Sequence, residues 1–574
     1  MNSLWRCSCF VGVHPHWIYL FSCFLALGWL IPNHFSPWSA FHQDAWVALA
    51  SVIAGAPLFL QARGSWSVSD LGLFLGLLVL IPGLQWASGL VALPGSAWIS
   101  CAYLLGFCLV AWCGARWEQA APGQVLDGLF LAIGIAALLS VWIQLRQWLQ
   151  LDDGWEWWSM GKILQRPPAN FAQPNQAATF LGLGLGAVAW GAWRGHIRWG
   201  TGCLAAAYLL FGIALTGSRT AWLGLGLVTI AVWHWRRIWP AARTPLLISG
   251  LFLFLLFCIG LQASLPIGQF TSKAVLSTSS ASLRLDVWLL ALDAIALSPW
   301  VGYGWNQTAL AQLRALDAHP SASLPFYSAH NLFLDLLVWC GIPLGAALSV
   351  AVLVWLVRRF LAVRRPDQAV LMLLVLLIFN HSMLEYPLHY AYLLLPLGWL
   401  LGALEGRIGG DVSRWFKVPR AMVIGLYLSA ATLLGLIIAD YFPIELAYRS
   451  LKLERERIQT APWTVPDALV ISHLSRHLEM VRGATTQRLS EADLLEREQL
   501  TEAFPDGYAI FYLAVAEALS HRPDQAVLWL KRYCKLKPVD GCFHAAKNWA
   551  ESGVKHPEIS AIEWPVKFEK ATRP

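Results

Sequence analysis

Ser328-Ala329-His330-Asn331-Leu332-Phe333-Leu334-Asp335 leads into an apolar helix that continues through Leu337, Val338 and Trp339 to Gly341, Pro343 and Gly345. The span read from this run, residues 330–357, is long enough to cross a bilayer, which takes about 20 apolar residues. A His-Asn pair therefore stands at a membrane rim, where a long polar segment ends. An imidazole titrates near neutral pH and can accept a proton from a hydroxyl. The plainer reading is a packed histidine at a helix start, with Asn331 as the cap.

Outward from this stretch the pattern repeats. The chain has 574 residues, 57% hydrophobic and 13% charged, with mean hydropathy +0.53; soluble domains carry about 25% charged residues. The composition predicts an all-α polytopic membrane bundle of about thirteen transmembrane helices. The expected spans lie near 17–32, 45–62, 71–91, 97–114, 125–145, 175–193, 200–216, 220–235, 245–261, 330–357, 367–384, 388–404 and 421–441. The first reads as a retained anchor, because no small-residue cleavage site follows it. Interfacial belts account for most of the 33 tryptophans.

Positive charge sets the expected orientation. Arg6, Arg63, Arg116, Arg194, Arg198, Arg236, Arg237, Arg243, Arg358, Arg359, Arg364, Arg365, Arg407, Arg414, Lys417 and Arg420 fall on alternate connections. The opposite connections hold fewer: Arg146, Lys162, Arg166, Arg219, Lys273, Arg284 and Arg314. The N-terminus is then cytoplasmic, and the His330 loop lies outside, which in a bacterium is the periplasm. The net charge of +7 reports topology. No basic stripe interleaves with aromatics, so a nucleic-acid partner is not expected.

Two regions follow. Residues 1–441 form the membrane-embedded part, with long outer loops at about 146–174 and 262–329, the second containing a helix from Ser282 to Ser298. Residues 442–574 form a helical periplasmic domain, weakly tetratricopeptide-like, with antiparallel helices at Tyr508–Leu519 and Gln525–Leu536 around an Arg522-Pro523-Asp524 turn. Cys7 and Cys9 are cytoplasmic in this topology, and Cys534 and Cys542 sit where oxidising conditions would allow a disulfide.

Polar candidates gather on the outer side. Arg219 follows Thr216-Gly217-Ser218 between two apolar helices; such an arginine is costly and is either functional or snorkelling to the interface. Arg284 flanks an apolar stripe of Leu283, Val287, Leu290 and Ala294, and otherwise pairs with Asp286. Two guanidiniums suit a pyrophosphate, which accepts bidentate hydrogen bonds and needs its charge neutralised as it leaves. Gln173-Pro174-Asn175-Gln176 opens a helix, as a simple start or as amides that contact sugar or phosphate. Glu385 and Tyr386 lie in a short outer turn with His381 and His389, whose spacing does not fit a zinc-binding His-Glu-x-x-His helix.

In this order and spacing the pieces resemble the bacterial O-antigen ligase / protein O-oligosaccharyltransferase superfamily (Wzy–WaaL–PglL). They are Gln173-Pro174-Asn175-Gln176, Thr216-Gly217-Ser218-Arg219-Thr220-Ala221-Trp222, Arg284 with Trp288, and His330-Asn331-Leu332 with Gly341-Ile342-Pro343-Leu344-Gly345. Glu385-Tyr386-Pro387-Leu388-His389-Tyr390 and the tail look most like the PglL protein-glycosylating branch. The resemblance implies an inner-membrane glycosyltransferase acting on a glycan carried by undecaprenyl pyrophosphate. His330, Arg219 and Arg284 would be catalytic; Gln173, Asn175, Asn331, Glu385 and Tyr386 would bind substrate. No metal and no other cofactor is implied. The acceptor in that branch is a Ser or Thr hydroxyl of an exported, pilin-type protein.

Other acceptors remain open: lipid A-core, for an O-antigen ligase, or the end of another glycan, for a polymerase. A lipid-linked glycan transporter would place its polar sites near the midplane of inverted repeats, and no such repeat is visible. A non-catalytic scaffold would not depend on Arg219 or His330.

Overall fold

The computed structural model describes residues 15–61, 66–151, 166–171, 173–239, 241–264, 279–317, 325–408, 415–458, 462–483 and 488–566. Arg6, Cys7, Cys9, Arg63, Lys162, Lys273 and Arg414 lie outside them, as do large parts of both long outer loops. A helix occupies each interval expected to span the membrane. In order they are α1 (Pro15–Leu30), α2 (Phe41–Gln61), α3 (Asp70–Leu78) with α4 (Leu80–Ala87), α5 (Pro94–Ala120), α6 (Gln124–Trp148), α7 (Pro174–Trp193), α8 (Trp199–Leu215), α9 (Arg219–His234) and α10 (Thr244–Ser264). After α11 (Ser279–Leu297) and α12 (Thr308–Ala315) come α13 (Leu332–Ala362), α14 (Pro366–Ser382), α15 (Ala391–Ile408) and α16 (Arg420–Arg455). Among the described residues, seven helices are long and apolar enough to cross a bilayer by themselves.

The chain divides into two compact units. The first comprises residues 1–79, 102–277 and 352–435. Its core rests on small residues that let helices approach. Ala132, Ala136 and Ala137 of α6 are fully buried, and a Cβ at Gly184 of α7 would come within 2.6 Å of Ala137. Phe180, Leu181, Leu209 and Tyr392 belong to the same buried cluster. A short antiparallel ribbon pairs β1 (Trp66–Ser69) with β2 (Trp415–Val418), Trp66 opposite Val418.

Two arginines read as topological charge are in fact buried ion-pair partners. Arg359 donates from Nε to Glu405 Oε1 at 2.7 Å and from Nη2 to Asp70 Oδ1 at 3.1 Å. Arg407 pairs with Glu118 at 2.8 Å and with Asp367. A charge this deep persists only when paired and hydrogen-bonded.

The second unit comprises residues 80–101, 278–351 and 436–574. Two expected spans differ in detail. α13 is broken at Gly341 (φ 71°, ψ 175°): a Cβ there would sit 2.5 Å from the Trp300 carbonyl carbon, so the close-packed loop imposes a backbone conformation that glycine supplies without a steric cost. α16 does not stop near residue 441 but runs through Pro443 to Arg455.

The tail adds α17 (Ser472–Arg482), α18 (Glu491–Ala503), α19 (Gly507–Leu519), α20 (Pro523–Lys535), α21 (Val539–Gly553) and α22 (Pro557–Ser560). α19 and α20 reproduce the expected helix pair, with Leu513, Ala514, Trp529 and Leu530 fully buried. Cys534 and Cys542 are disulfide-bonded.

Candidate active site

In the first unit, the amides that open α7 meet the turn after α14. Asn175 donates from Nδ2 to Glu385 Oε1 at 2.9 Å, and Gln173 donates from Nε2 to Glu385 Oε2 at 3.3 Å. Glu385 is buried, and a buried carboxylate needs such donors. One turn into α7, the Thr179 hydroxyl and His381 Nδ1 lie 2.8 Å apart. Tyr392 donates its hydroxyl to Gln176. Tyr386 stacks on Tyr390 with ring centroids 5.9 Å apart. Burial, reinforced by the neighbouring Glu385 charge, pushes the Tyr386 phenol above its ordinary pKa.

Arg166 extends this cluster. Its Nη2 donates to Asn175 Oδ1 at 3.0 Å and its Nε to the Thr216 carbonyl at 2.6 Å. Thr216 begins the turn that carries Arg219. Gly217 adopts φ 59°, the left-handed region glycine enters freely. The Thr216 hydroxyl accepts from Ser218 N at 3.2 Å, and Ser218 caps α9 by accepting from Ala221 N at 3.3 Å. Arg219 is then the first residue of α9, and its side chain is exposed. A cation at a helix N-terminus opposes the macrodipole. Its position gains nothing for the helix, and it adds to the positive potential there.

The second unit holds Arg284, His330 and Asn331. Arg284 lies on α11, half-buried, and Val287, Leu290 and Ala294 form the expected buried stripe; the Leu283 side chain lies outside the described residues. His330 is half-buried and held at φ 54°, a conformation a non-glycine residue adopts only when its surroundings enforce it. Asp335 supplies that enforcement. It accepts from Ala329 N at 2.8 Å, the Ser328 hydroxyl at 2.6 Å and the Thr308 hydroxyl at 3.2 Å. Ser328 Oγ in turn accepts from His330 N at 3.0 Å, and Trp339 donates to Thr308 at 2.8 Å. Asn331 Oδ1 accepts from Phe333 N at 3.0 Å and Leu334 N at 3.2 Å, so it caps α13.

The tail grips the same region. Arg314 pairs with Glu502, Arg532 donates to Asp317 at 2.9 Å, and Lys535 reaches the Leu316 carbonyl. Sequence reasoning missed Asp335 and gave Arg166 no role. An acid among leucines, and an arginine beside two prolines between apolar spans, were the available signals.

Comparison with known proteins bears on the family. The O-antigen ligase family matches residues 204–349, which include Arg219, Arg284 and His330. A protein glycosylation ligase family matches residues 167–190, and the C-terminal part of a virulence-factor membrane-bound polymerase family matches residues 369–548. The chain is 31% identical to the general O-oligosaccharyltransferase of Acinetobacter baylyi over 533 residues, 89% of this chain and 91% of that protein. It is 29% identical to the ComP-specific O-oligosaccharyltransferase of the same organism over 241 residues, 42% of this chain and 44% of that protein. A helical membrane body with these relatives is that of a glycosyltransferase. The chain belongs to the O-oligosaccharyltransferase family, as the resemblance of its motifs implied.

Proposed function

We propose that this enzyme transfers a preassembled glycan from undecaprenyl pyrophosphate to Ser or Thr hydroxyls of exported, pilin-type proteins. It would do so in the bacterial inner membrane, with its N-terminus cytoplasmic and its reaction and tail periplasmic. The reading is carried by its likeness to a general O-oligosaccharyltransferase over nearly the whole of both chains. The exposed Arg219 on a braced turn supports it.

In this mechanism the acceptor hydroxyl attacks the anomeric carbon as its proton passes to the His330 imidazole. The bond from that carbon to the pyrophosphate oxygen breaks, and the pyrophosphate leaves with the electron pair. Arg219 and Arg284 stabilise the charge that develops on it. A single displacement inverts the anomeric centre. Gln173, Asn175 and Glu385 brace the Arg219 turn through Arg166, Tyr386 offers a neutral hydroxyl to the glycan, and Asn331 fixes the helix behind His330.

The O-antigen ligase match over residues 204–349 favours lipid A-core as the second acceptor to test. Purified wild type and His330→Ala, given lipid-linked glycan and either a pilin-type protein or lipid A-core, separate the readings. Transfer to protein that the variant loses supports the proposal. Transfer to lipid A-core alone reassigns the acceptor and keeps the chemistry, and undiminished transfer by His330→Ala removes the histidine from the mechanism.

A further inference from the structure

Helix α11 carries two apolar faces. Val287, Leu290, Ala291, Ala294 and Ile295 are buried within its own unit. On the opposite side Leu285, Leu289 and Leu292 are 55%, 48% and 51% exposed, and Trp300, just past the helix, is 77% exposed. The spacing puts Leu285, Leu289 and Leu292 on one stripe at helical periodicity. Exposed Asp286 and Asp293 line one edge of that stripe, and half-buried Arg284 and Trp288 line the other.

The stripe leads along the chain to a helix with exposed apolar side chains of its own. The chain after α11 is stitched to α13 at its break: Ile342 N donates to the Pro299 carbonyl at 2.7 Å, and Tyr303 N to the Val338 carbonyl at 2.9 Å. Ile342, Leu344 and Val350 are exposed along a helix long and apolar enough to cross a bilayer. An apolar stripe with charged edges and a tryptophan at its end is the pattern of a helix lying in the interfacial layer.

We infer that α11 is an in-plane membrane anchor whose Leu285–Leu289–Leu292 stripe and Trp300 insert into the bilayer leaflet beside the start of α13. The edge bearing Arg284 then lies at headgroup depth, where the pyrophosphate of a lipid-linked donor would sit. This consequence for Arg284 rests on the proposed donor; the anchor does not.

The test reads depth, not turnover, so its failure is distinguishable from failure of the proposed reaction. Full-length Leu292→Cys and Asp293→Cys, on a background lacking thiols outside the Cys534–Cys542 pair, would be labelled with bimane. They would be reconstituted in phosphatidylethanolamine–phosphatidylglycerol vesicles. Bimane at 292 should be quenched severalfold more by lipid with a shallow acyl-chain nitroxide than by aqueous iodide, and bimane at 293 should show the reverse. Equal iodide quenching at both positions would show a solvated face and overturn the proposal. Shielding at 292 from both quenchers that is lost on dilution in lipid would assign the face to a second copy and also overturn it. Leu289→Glu with Leu292→Glu should raise KM for a long-chain lipid donor severalfold more than for a short-chain soluble one; if that variant fails to fold, the depth measurement still decides.

Discussion

Arg166 donates from Nε to the main-chain carbonyl of Thr216 at 2.6 Å, while its Nη2 holds Asn175 at 3.0 Å. One guanidinium thereby ties the opening of α7 to the turn that presents Arg219. Arg166→Lys keeps the charge but cannot reach both acceptors. Losing a charged hydrogen bond in a part-buried site costs about 1.5–3 kcal/mol, and if that loss falls on the transition state it slows turnover by about tenfold to a hundredfold. Steady-state kinetics should show a lower kcat with KM for the acceptor nearly unchanged. Unchanged kcat would make Arg166 a structural strut only.

Arg219 itself should tolerate little. Arg219→Ala is expected to abolish most transfer while the protein still inserts and melts normally, because the side chain is exposed. Arg219→Lys should recover part of the activity, since an ammonium supplies charge without the planar fork. Full activity in both variants would remove the pyrophosphate clamp.

Glu385→Gln replaces an acceptor of two amide donors with a group that presents one oxygen and one NH2. One of Gln173 and Asn175 must then turn away. The cost is about 1–3 kcal/mol, read as a lower melting temperature, with turnover retained within severalfold. A well-folded but inactive Glu385→Gln would place the carboxylate in the chemistry.

Gly341→Ala should separate backbone strain from chemistry. The φ of 71° and the 2.5 Å approach to Trp300 leave no room for a methyl group. A non-glycine residue forced into such a region costs about 1–3 kcal/mol before the clash is counted. Thermal melts should show the loss, accompanied by lower activity as the His330 segment loosens.

The tail should weaken in acid through His473. Its complete burial, and secondarily the neighbouring His477, lower its pKa to about 3, so it folds neutral and stacks on Phe504. The unfolded chain takes up a proton near pH 6.5. The stability from neutral His473 is therefore present above about pH 6.5 and is lost as pH falls from there toward 3. His473→Gln should flatten that slope in melts of the full-length protein followed from pH 7 to pH 4. An unchanged slope would assign the acid sensitivity to other groups.

The helical membrane class and the positions of its helices were legible in the sequence, because a twenty-residue apolar run has few other uses. The Thr216–Arg219 turn, the capping role open to Asn331 and the Tyr508–Leu536 helix pair were equally local, and the helices and caps stand where expected. Asn331 could be read because a cap acts over three residues.

What only the tertiary structure decided concerns partners far apart in the chain. Glu385 meets Asn175 across 210 positions and Arg359 meets Asp70 across 289. Arg359 therefore read as one more topological charge, and Arg166 as a residue without a task. Likewise the sequence ran the helix straight through Gly341; the break in α13 exists because the Trp300 main chain occupies the space a side chain would need. Hydrophobic periodicity fixes which segments are helices; which buried polar group satisfies which other is set by packing, and no local pattern encodes it.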